Sequence, residues 1–445
     1  MAQGAVLLPL CFLIAVLIAK GITSEAARGQ DNLLTYDSLH PETAKATGQL
    51  PKSDAHVEIV NADASQFPQK QRLGVDKLGD VSDIGTDEDG LSDVSFLLLG
   101  ASPAPDGEAF CSRKRYRKRT LKVVKEMPFA GLFPELQRIR RFEGSGVTHA
   151  NGSYYVVFDS LRSLGQVDLR FSFRGPENRL VGAEGGEQES QFEGISYNEP
   201  TGTFFVVRES FQHDAHGLVP VTEELQLTGG GSTYKVLERC PVRFPLQDVN
   251  KGFESLVVYE KDGVRHLLGL CESNFCATIH GPDAPGLQRG NGRLVWARYR
   301  AVAGPNDECS WEVEKVIDLP SDVYFVDYSA IAFRTAASGG GDAPYGVGVT
   351  DVAVASQEDA AVWVGTFDWE TMEFVTPQPQ QAEPAPAGRI YHFPRTGDCS
   401  KQYCNVEGVA WIDAERLVLT SDKSKSTQDW RCMDKDQSVH IMALP

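Results

Sequence analysis

Five stretches of this chain follow one plan, and a plan repeated five times admits few folds. They read FEGSGVTHANGSYYVVFDS from Phe142, FEGISYNEPTGTFFVVRES from Phe192, FESLVVYEKDGVRHLLGLCES from Phe253, YSAIAFR from Tyr328 and VEGVAWIDAERLVLTSDKS from Val406. In the fourth, a Gly-rich insertion separates YSAIAFR from GVTDVAVASQED. Each opens on an apolar residue followed by Glu-Gly, Glu-Ser or Ser-Ala and continues as a short apolar strand. It then turns, at NG, PTG, DG or DAE where the turn is legible, and a second apolar strand ends near an acidic residue. Asn-Gly and Asp-Gly between apolar runs are strong hairpin signals, because both central residues of the favoured turn need positive φ. The repeats start 50, 61, 75 and 78 residues apart, room for a four-stranded sheet with variable loops.

Units of this size that cannot bury both faces alone pack radially, which predicts an all-β fold, a β-propeller with five visible four-stranded blades. The insertion in the fourth repeat leaves space for a sixth. The last repeat ends early, at SVHIMALP, while RTLKVVKEMPF, ahead of the first repeat, has the form of an outer strand. The N-terminal strand is therefore expected to complete the last blade and close the ring. The Pro- and Gln-rich TPQPQQAEPAPAG, from Thr376, reads as a surface loop between the last two blades. Trp296, Trp363 and Trp411 lie in strands and read as core.

The organisation before the repeats differs. Residues 1–26 read as a signal peptide: Ala5 to Ala19 is uninterruptedly apolar, too short to span a bilayer comfortably, and Ser24-Glu25-Ala26 suits cleavage. A signal anchor competes with this reading, because no Lys or Arg precedes the apolar run. Residues 27–93 are polar and end in an acidic run, which predicts a flexible arm, with the propeller occupying 94–445. The DEDG within that run lacks the ligand pattern of an EF-hand. Six of the seven residues from Arg113 to Arg119 are basic, a solvated loop or a processing site. No later segment is apolar enough to span a membrane, and the chain reads as a secreted monomer.

Cysteine usage points the same way. Without Cys11 of the leader, eight remain: Cys111, Cys240, Cys271, Cys276, Cys309, Cys399, Cys404 and Cys432. In an oxidising compartment they read as disulfides, although the pairs Cys271/Cys276 and Cys399/Cys404 have zinc binding as an alternative. A Cys111–Cys432 bridge would staple the closing strand to the last blade, and a local pairing of Cys432 with Cys404 or Cys399 competes with it. Asn151, in Asn151-Gly152-Ser153, is a glycosylation sequon.

The repeat register brings together the chemistry. Glu143, Glu193, Glu254 and Glu407 precede the first strands, with Ser329 breaking the series; Asp159, Glu209, Glu272, Glu358 and Asp422 close the second strands. The start of one strand and the end of its antiparallel partner share one end of a hairpin. These carboxylates should therefore share one face of the ring. Clustered carboxylates must be protonated, paired or bound to a cation, and hard oxygen donors suit Ca2+ or Mg2+, with Ca2+ fitting an extracellular site. The bland alternative is that each Glu bonds backbone amides and holds the ring together. A second cluster, His213, Asp214 and His216 in FQHDAHG, could ligate zinc or serve as acid and base. A net charge of −18 disfavours nucleic acid and anionic membranes as partners. There is no G-x-S-x-G elbow, P-loop or H-E-x-x-H.

Phe192-Glu193-Gly194-Ile195 and Val406-Glu407-Gly408-Val409, with the strands after them, resemble the SdiA-regulated and phytase-like (esterase-like) propellers, over roughly Leu121 to Pro445. The resemblance implies a calcium-bearing ring and, as in phytases, phosphomonoester hydrolysis. No phosphate-binding Lys/Arg set matches, so it brings no catalytic residue. Two functions follow: a propeller binding a protein or glycan at a calcium-bearing acidic face, or a metal-dependent hydrolase of phosphorylated small molecules. Arg208 and Lys423, near that face, suit either.

Overall fold

A computed structural model describes residues 111–445, apart from 113, 134–140, 184–189, 247–248, 250, 273–288, 291, 303, 305–307, 335–346 and 377–385. The leader and the acidic arm lie outside the described residues. Blade 1 is built from β2 (Gly144–Ala150), β3 (Ser153–Phe158), β4 (Ser163–Asp168) and β5 (Arg179–Ala183). Blade 2 follows with β6 (Phe192–Asn198), β7 (Thr203–His213), β8 (Gly217–Thr228) and β9 (Thr233–Pro241). Blade 3 comprises β10 (Phe253–Lys261), β11 (Val264–Cys271), β12 (Arg293–Arg300) and β13 (Ser310–Asp318). Blade 4 comprises β14 (Ala330–Phe333), β15 (Val349–Ser356), β16 (Ala361–Asp368), the short β17 (Glu373–Phe374) and β18 (Gly388–His392). Blade 5 takes β19 (Val406–Trp411), β20 (Arg416–Ser421) and β21 (Ser438–Ala443) from the C-terminal end, and β1 (Lys122–Pro128) from ahead of blade 1.

Both faces of each blade are buried, and alternation along a strand sends neighbouring residues into different cores. Val156 packs with Ala410 and Val418 of blade 5, whereas Val157 packs with Ile195 and Val206 of blade 2. Further cores fill the junctions of blades 2 and 3 around Trp311, 3 and 4 around Trp363, and 4 and 5 around Trp411. This is why the strands read as continuous apolar runs. Trp363 and Trp411 are buried and Trp296 partly so, as expected of core residues. At Asn151-Gly152 and Asp262-Gly263 both turn residues have positive φ, the geometry these dipeptides favour. Innermost strands pack side by side in the order β2, β6, β10, β14, β19 and back to β2, so five blades complete the ring among the described residues.

The closing strand is as the sequence predicts: β1 pairs antiparallel with β21, from Lys122 opposite Ala443 to Pro128 opposite Ser438. Glu126 on β1 accepts from Tyr403 Oη at 2.9 Å and pairs with Lys435 and His440. His440, with Lys435 and Tyr403, holds the Glu126 carboxyl down at about 2.

The proposed staple is corrected. Cys432 bonds Cys404, and Cys111 bonds Cys399 across 288 residues. The chain ahead of β1 first runs along the outer strand of blade 4: Leu121 N–H donates to the His392 carbonyl at 2.9 Å, and His392 N–H to that of Arg119 at 2.8 Å. Cys111 therefore meets the segment after β18 rather than blade 5. A bridge closing so long a loop is worth roughly 5 kcal/mol on chain-entropy grounds. Cys240–Cys309 joins blades 2 and 3, and Cys271 is also disulfide-bonded. Cys276 lies outside the described residues. These bridges answer the zinc alternative for Cys399 and Cys404. The stretch TPQPQQAEPAPAG falls in the sequence between β17 and β18 of blade 4, not between blades 4 and 5, because β18 still pairs with β16; its residues 377–385 lie outside the described residues.

Candidate functional site at the acidic end of the ring

Four of the five inner strands open with a bulge. The register jumps between Phe192 and Gly194, Phe253 and Ser255, Val406 and Gly408, and Gly144 and Gly146. The residue left out of each ladder is Glu193, Glu254, Glu407 or Ser145. A bulge of this kind re-aims one side chain and increases the local twist. In blade 4, Ser329 takes the same place just before β14, its N–H donating to the Ala355 carbonyl at 3.0 Å.

A central channel of about 540 Å3 confirms this register, for it begins two residues beyond each of these positions, at Val147, Ile195, Leu256, Ile331 and Val409. Its other mouth carries hairpin residues, among them Asn151, Glu199 and Glu260. The sequon residue Asn151 is thus exposed at the end opposite the carboxylates, where its Oδ1 accepts from Tyr197 Oη at 3.2 Å.

The glycine of the Glu-Gly signal has a packing cause. A Cβ at Gly194 would stand 2.8 Å from Ser255 Cα, one at Gly146 2.9 Å from the Glu193 carbonyl, and one at Gly408 3.1 Å from Gly146 C. Neighbouring inner strands touch backbone to backbone here, which only a very small residue permits.

The ring of these positions therefore reads Ser145, Glu193, Glu254, Ser329, Glu407. Glu143, aligned with Glu193 by the sequence, is displaced from it. Its carbonyl accepts from Asp159 N–H at 2.8 Å, as that of Asn405 does from Asp422 N–H, so Glu143 matches the residue two before the bulge. The two repeats have equal length, but blade 1 turns on two residues, Asn151-Gly152, and blade 2 on four, Glu199 to Gly202.

Electrostatics joins the remaining carboxylates into one group. Burial pushes Glu193, Glu254 and Glu407 well above the usual carboxylate range, reinforced by repulsion among the three and from Asp159, Glu209, Glu272 and Asp422. Burial and then Glu272 lift Glu209 to about 7; burial, with Glu143 and Asp159, lifts Asp422 to about 7. Oxygens of Glu209, Glu254 and Glu272 lie within 4.8 Å of one another. Lys251 intervenes on that side, its Nζ donating to both oxygens of Glu272 at 2.6 and 2.8 Å. Across the ring, Asp422 Oδ1 is buried without a hydrogen-bond partner, a fit for a cation that prefers oxygen ligands at about 2.4 Å. The Ser145 hydroxyl donates to the Glu143 carbonyl at 3.4 Å and also acts on Glu193, holding its carboxyl down against the burial, and Ser329 Oγ donates to the Val406 carbonyl at 2.8 Å.

Glu358 stands apart. It is exposed in the turn after β15, and Gln357 holds the place that Glu209 holds in blade 2. Blade 4 also buries Asp327, which the sequence reading missed; it stands two residues before Ser329, as Glu143 does before Ser145, and the charges that act on it are Glu358 and Asp359 rather than the ring. Asp327 is 4% exposed, accepts from Ser356 Oγ and Glu358 N–H, and is lifted by burial to about 6. Its signal was its place before Tyr328, the aromatic matching Phe253. Arg208 donates to Gln191 Oε1 at 2.9 Å and lies over the Phe211 ring.

The second cluster gains one member and loses another. His213 and His216 stack at 4.8 Å, and both approach Glu308, while Asp214 is exposed to solvent.

The class these features define is a five-bladed β-propeller with a carboxylate ring at one mouth of its channel. No family model matches the chain, and no curated protein matches it in sequence. Among solved structures it is similar to the glutaminyl cyclase of Myxococcus xanthus, at 9% identity and a TM-score of 0.38, over 74% of this chain and 98% of that one. It is similar to a streptogramin B lyase at 10% identity and a TM-score of 0.31, over 72% and 98%. The β-propeller domain of Cps50 (Swd1) from Myceliophteria thermophila gives 7% and 0.32, over 73% and 100%. The propeller assignment rests on the strand order above.

Proposed function

We propose that this chain is a secreted ligand-binding propeller that receives a protein or glycan at its acidic end, over a divalent cation. The observation that carries the reading is the set Glu193, Glu254 and Glu407: three carboxylates from three blades, Glu254 buried and the other two half-buried, that repel one another at the channel mouth. Glu193, Glu407, Asp159 and Asp422 would hold the ion, on the side away from Lys251. Bound there, Ca2+ would neutralise the group and offer remaining coordination positions to ligand oxygens. The disulfides fit an oxidising, extracellular setting. The likeness to SdiA-regulated and phytase-like propellers adds the same ion, on the strength of the two Glu-Gly motifs.

Calcium titration of the purified protein tests this. Millimolar Ca2+ should raise the melting temperature, chelator should reverse the rise, and Glu407→Gln should reduce the response, since an ion that binds only the folded state stabilises it. A melting temperature indifferent to calcium counts against the reading. Phosphoester hydrolysis is the second reading, favoured by Lys251 and Arg208 at the same end. Calcium-dependent turnover of p-nitrophenyl phosphate, lost in Glu407→Gln, would place it first.

A further inference from the structure

Beyond the carboxylate ring, β7 runs on past Glu209 to His213 and turns back into β8 at Gly217. At about 3.3 Å per residue, this arm carries His213 and His216 roughly 13 Å beyond the ring. Opposite them, from blade 3, stands Glu308. It adjoins Cys309, whose bridge to Cys240 in blade 2 fixes the two blades together at this point. His213 Nε2 lies 3.2 Å and His216 Nε2 3.6 Å from Glu308 Oε1. The side chains are 17%, 23% and 48% exposed, so the cluster is formed yet open to solvent.

We infer that His213, His216 and Glu308 form a transition-metal site, for Zn2+ or a metal of similar preference, distinct from the acidic ring. Zinc binds imidazole nitrogen and carboxylate oxygen at about 2.0–2.2 Å. Two such atoms on a tetrahedral ion stand about 3.4 Å apart, between the two separations found here. A hydrogen bond to Glu308 would need one imidazole, whereas here both Nε2 atoms converge on the same carboxylate. Two imidazoles and one carboxylate select zinc over the hard cations that suit the ring. Three protein ligands leave a fourth position for water or a ligand atom. His213 Nδ1 accepts a long, exposed hydrogen bond from Ala215 N–H at 3.2 Å. That bond is given up on metal binding, when the ring proton moves from Nε2 to Nδ1. The sequence showed the His pair but could not show Glu308, which arrives through the packing of blade 3 on blade 2.

Zinc competition against a chromophoric chelator, near neutral pH and on the intact, disulfide-bonded chain, tests the site. One Zn2+ per chain is expected, with affinity falling about tenfold or more in His213→Ala and in His216→Ala, and falling also in Glu308→Gln. Asp214→Ala and the triple variant Glu193→Gln/Glu254→Gln/Glu407→Gln should bind zinc as the unaltered chain does. Co2+ in place of zinc should give the visible absorption of a four-coordinate ion, lost in His216→Ala. Melting curves of each variant confirm folding. Absence of zinc binding, equal binding by the histidine variants, or loss of binding in Asp214→Ala overturns the proposal. Failure of the calcium response would leave it untouched, since the triple variant separates the two sites.

Discussion

Blades 2, 3 and 5 place a glutamate at the inner-strand bulge; blade 1 places a serine at its bulge and blade 4 a serine at the equivalent position. All five strands begin the channel wall two residues later. Ser145 and Ser329 satisfy the position with hydrogen bonds to the Glu143 and Val406 carbonyls. What the fold asks of this position is thus a small polar contact and, in three of the blades, a glycine after it. Negative charge is an addition, and a costly one, because burying carboxylates beside one another disfavours their ionised forms. This comparison weakens the view that the glutamates serve only to bond neighbouring blades. Glu126 provides the contrast within the same molecule: a carboxylate used for ring closure is met by His440, Lys435 and Tyr403, and its pKa falls.

The largest expected effect follows from the sign of those shifts. A carboxylate whose pKa is raised on folding binds more protons in the native state than in the unfolded one, so its contribution falls as pH rises above about 4.5. Without metal, Glu193→Gln/Glu254→Gln/Glu407→Gln should match the unaltered protein near pH 4.5 and become more stable than it toward neutral pH. The gap should widen steadily from about pH 4.5 toward neutral pH, as the unfolded chain ionises these groups and the folded chain resists doing so. Taking the difference removes the opposing trend from His149, His266 and His440, whose lowered pKa values make acidification destabilising. Chemical denaturation across pH in chelator measures the gap. A gap that stays constant would mean the glutamates are not held protonated by their neighbours.

The converse change puts charge where a serine now stands. Ser329 is 1% exposed, so any longer side chain disturbs packing, and Ser329→Gln serves as the steric control. Without metal, Ser329→Glu should be less stable than Ser329→Gln by about 2 kcal/mol near neutral pH, because it buries a further carboxylate without a partner. Calcium should narrow the difference. If the two variants melt together at every pH, the bulge positions do not share one electrostatic environment.

The parts of this architecture written in local chemistry were legible before any coordinates. Asn151-Gly152 and Asp262-Gly263 specify their hairpins, the apolar runs specify blades buried on both faces, and the unpaired last repeat calls for β1. What depends on the path of the chain between blades was not legible. Cys111 pairs with Cys399 because the segment before β1 lies along β18. Glu308 joins His213 and His216 because blade 3 packs on blade 2. Asp327 is buried two residues before Ser329, the place Glu143 holds in blade 1, and the repeat pattern does not mark it.

The smallest expected effect tests the register of blade 1, where sequence and structure part. Counting from the shared Phe-Glu-Gly makes Glu143 the partner of Glu193; counting back from the turn makes Ser145 the partner and leaves Glu143 two residues outside the ring. The hydrogen bond from Asp159 N–H to the Glu143 carbonyl involves the backbone alone and survives any side-chain change. Glu143 reaches the group only as one of several charges acting on Asp422. Glu143→Gln should therefore change stability by less than about 0.5 kcal/mol, as surface substitutions usually do, and leave the calcium response within about twofold of the original. Ser145→Ala should do more, since it removes the hydroxyl that holds the Glu193 carboxyl down and bonds the Glu143 carbonyl, and should raise the Glu193 pKa further. Were Glu143→Gln to abolish the calcium response while Ser145→Ala left it intact, the two-residue shift would be wrong. Blade 1 would then belong with blades 2, 3 and 5, and the contrast between charged and uncharged blades would rest on blade 4 alone.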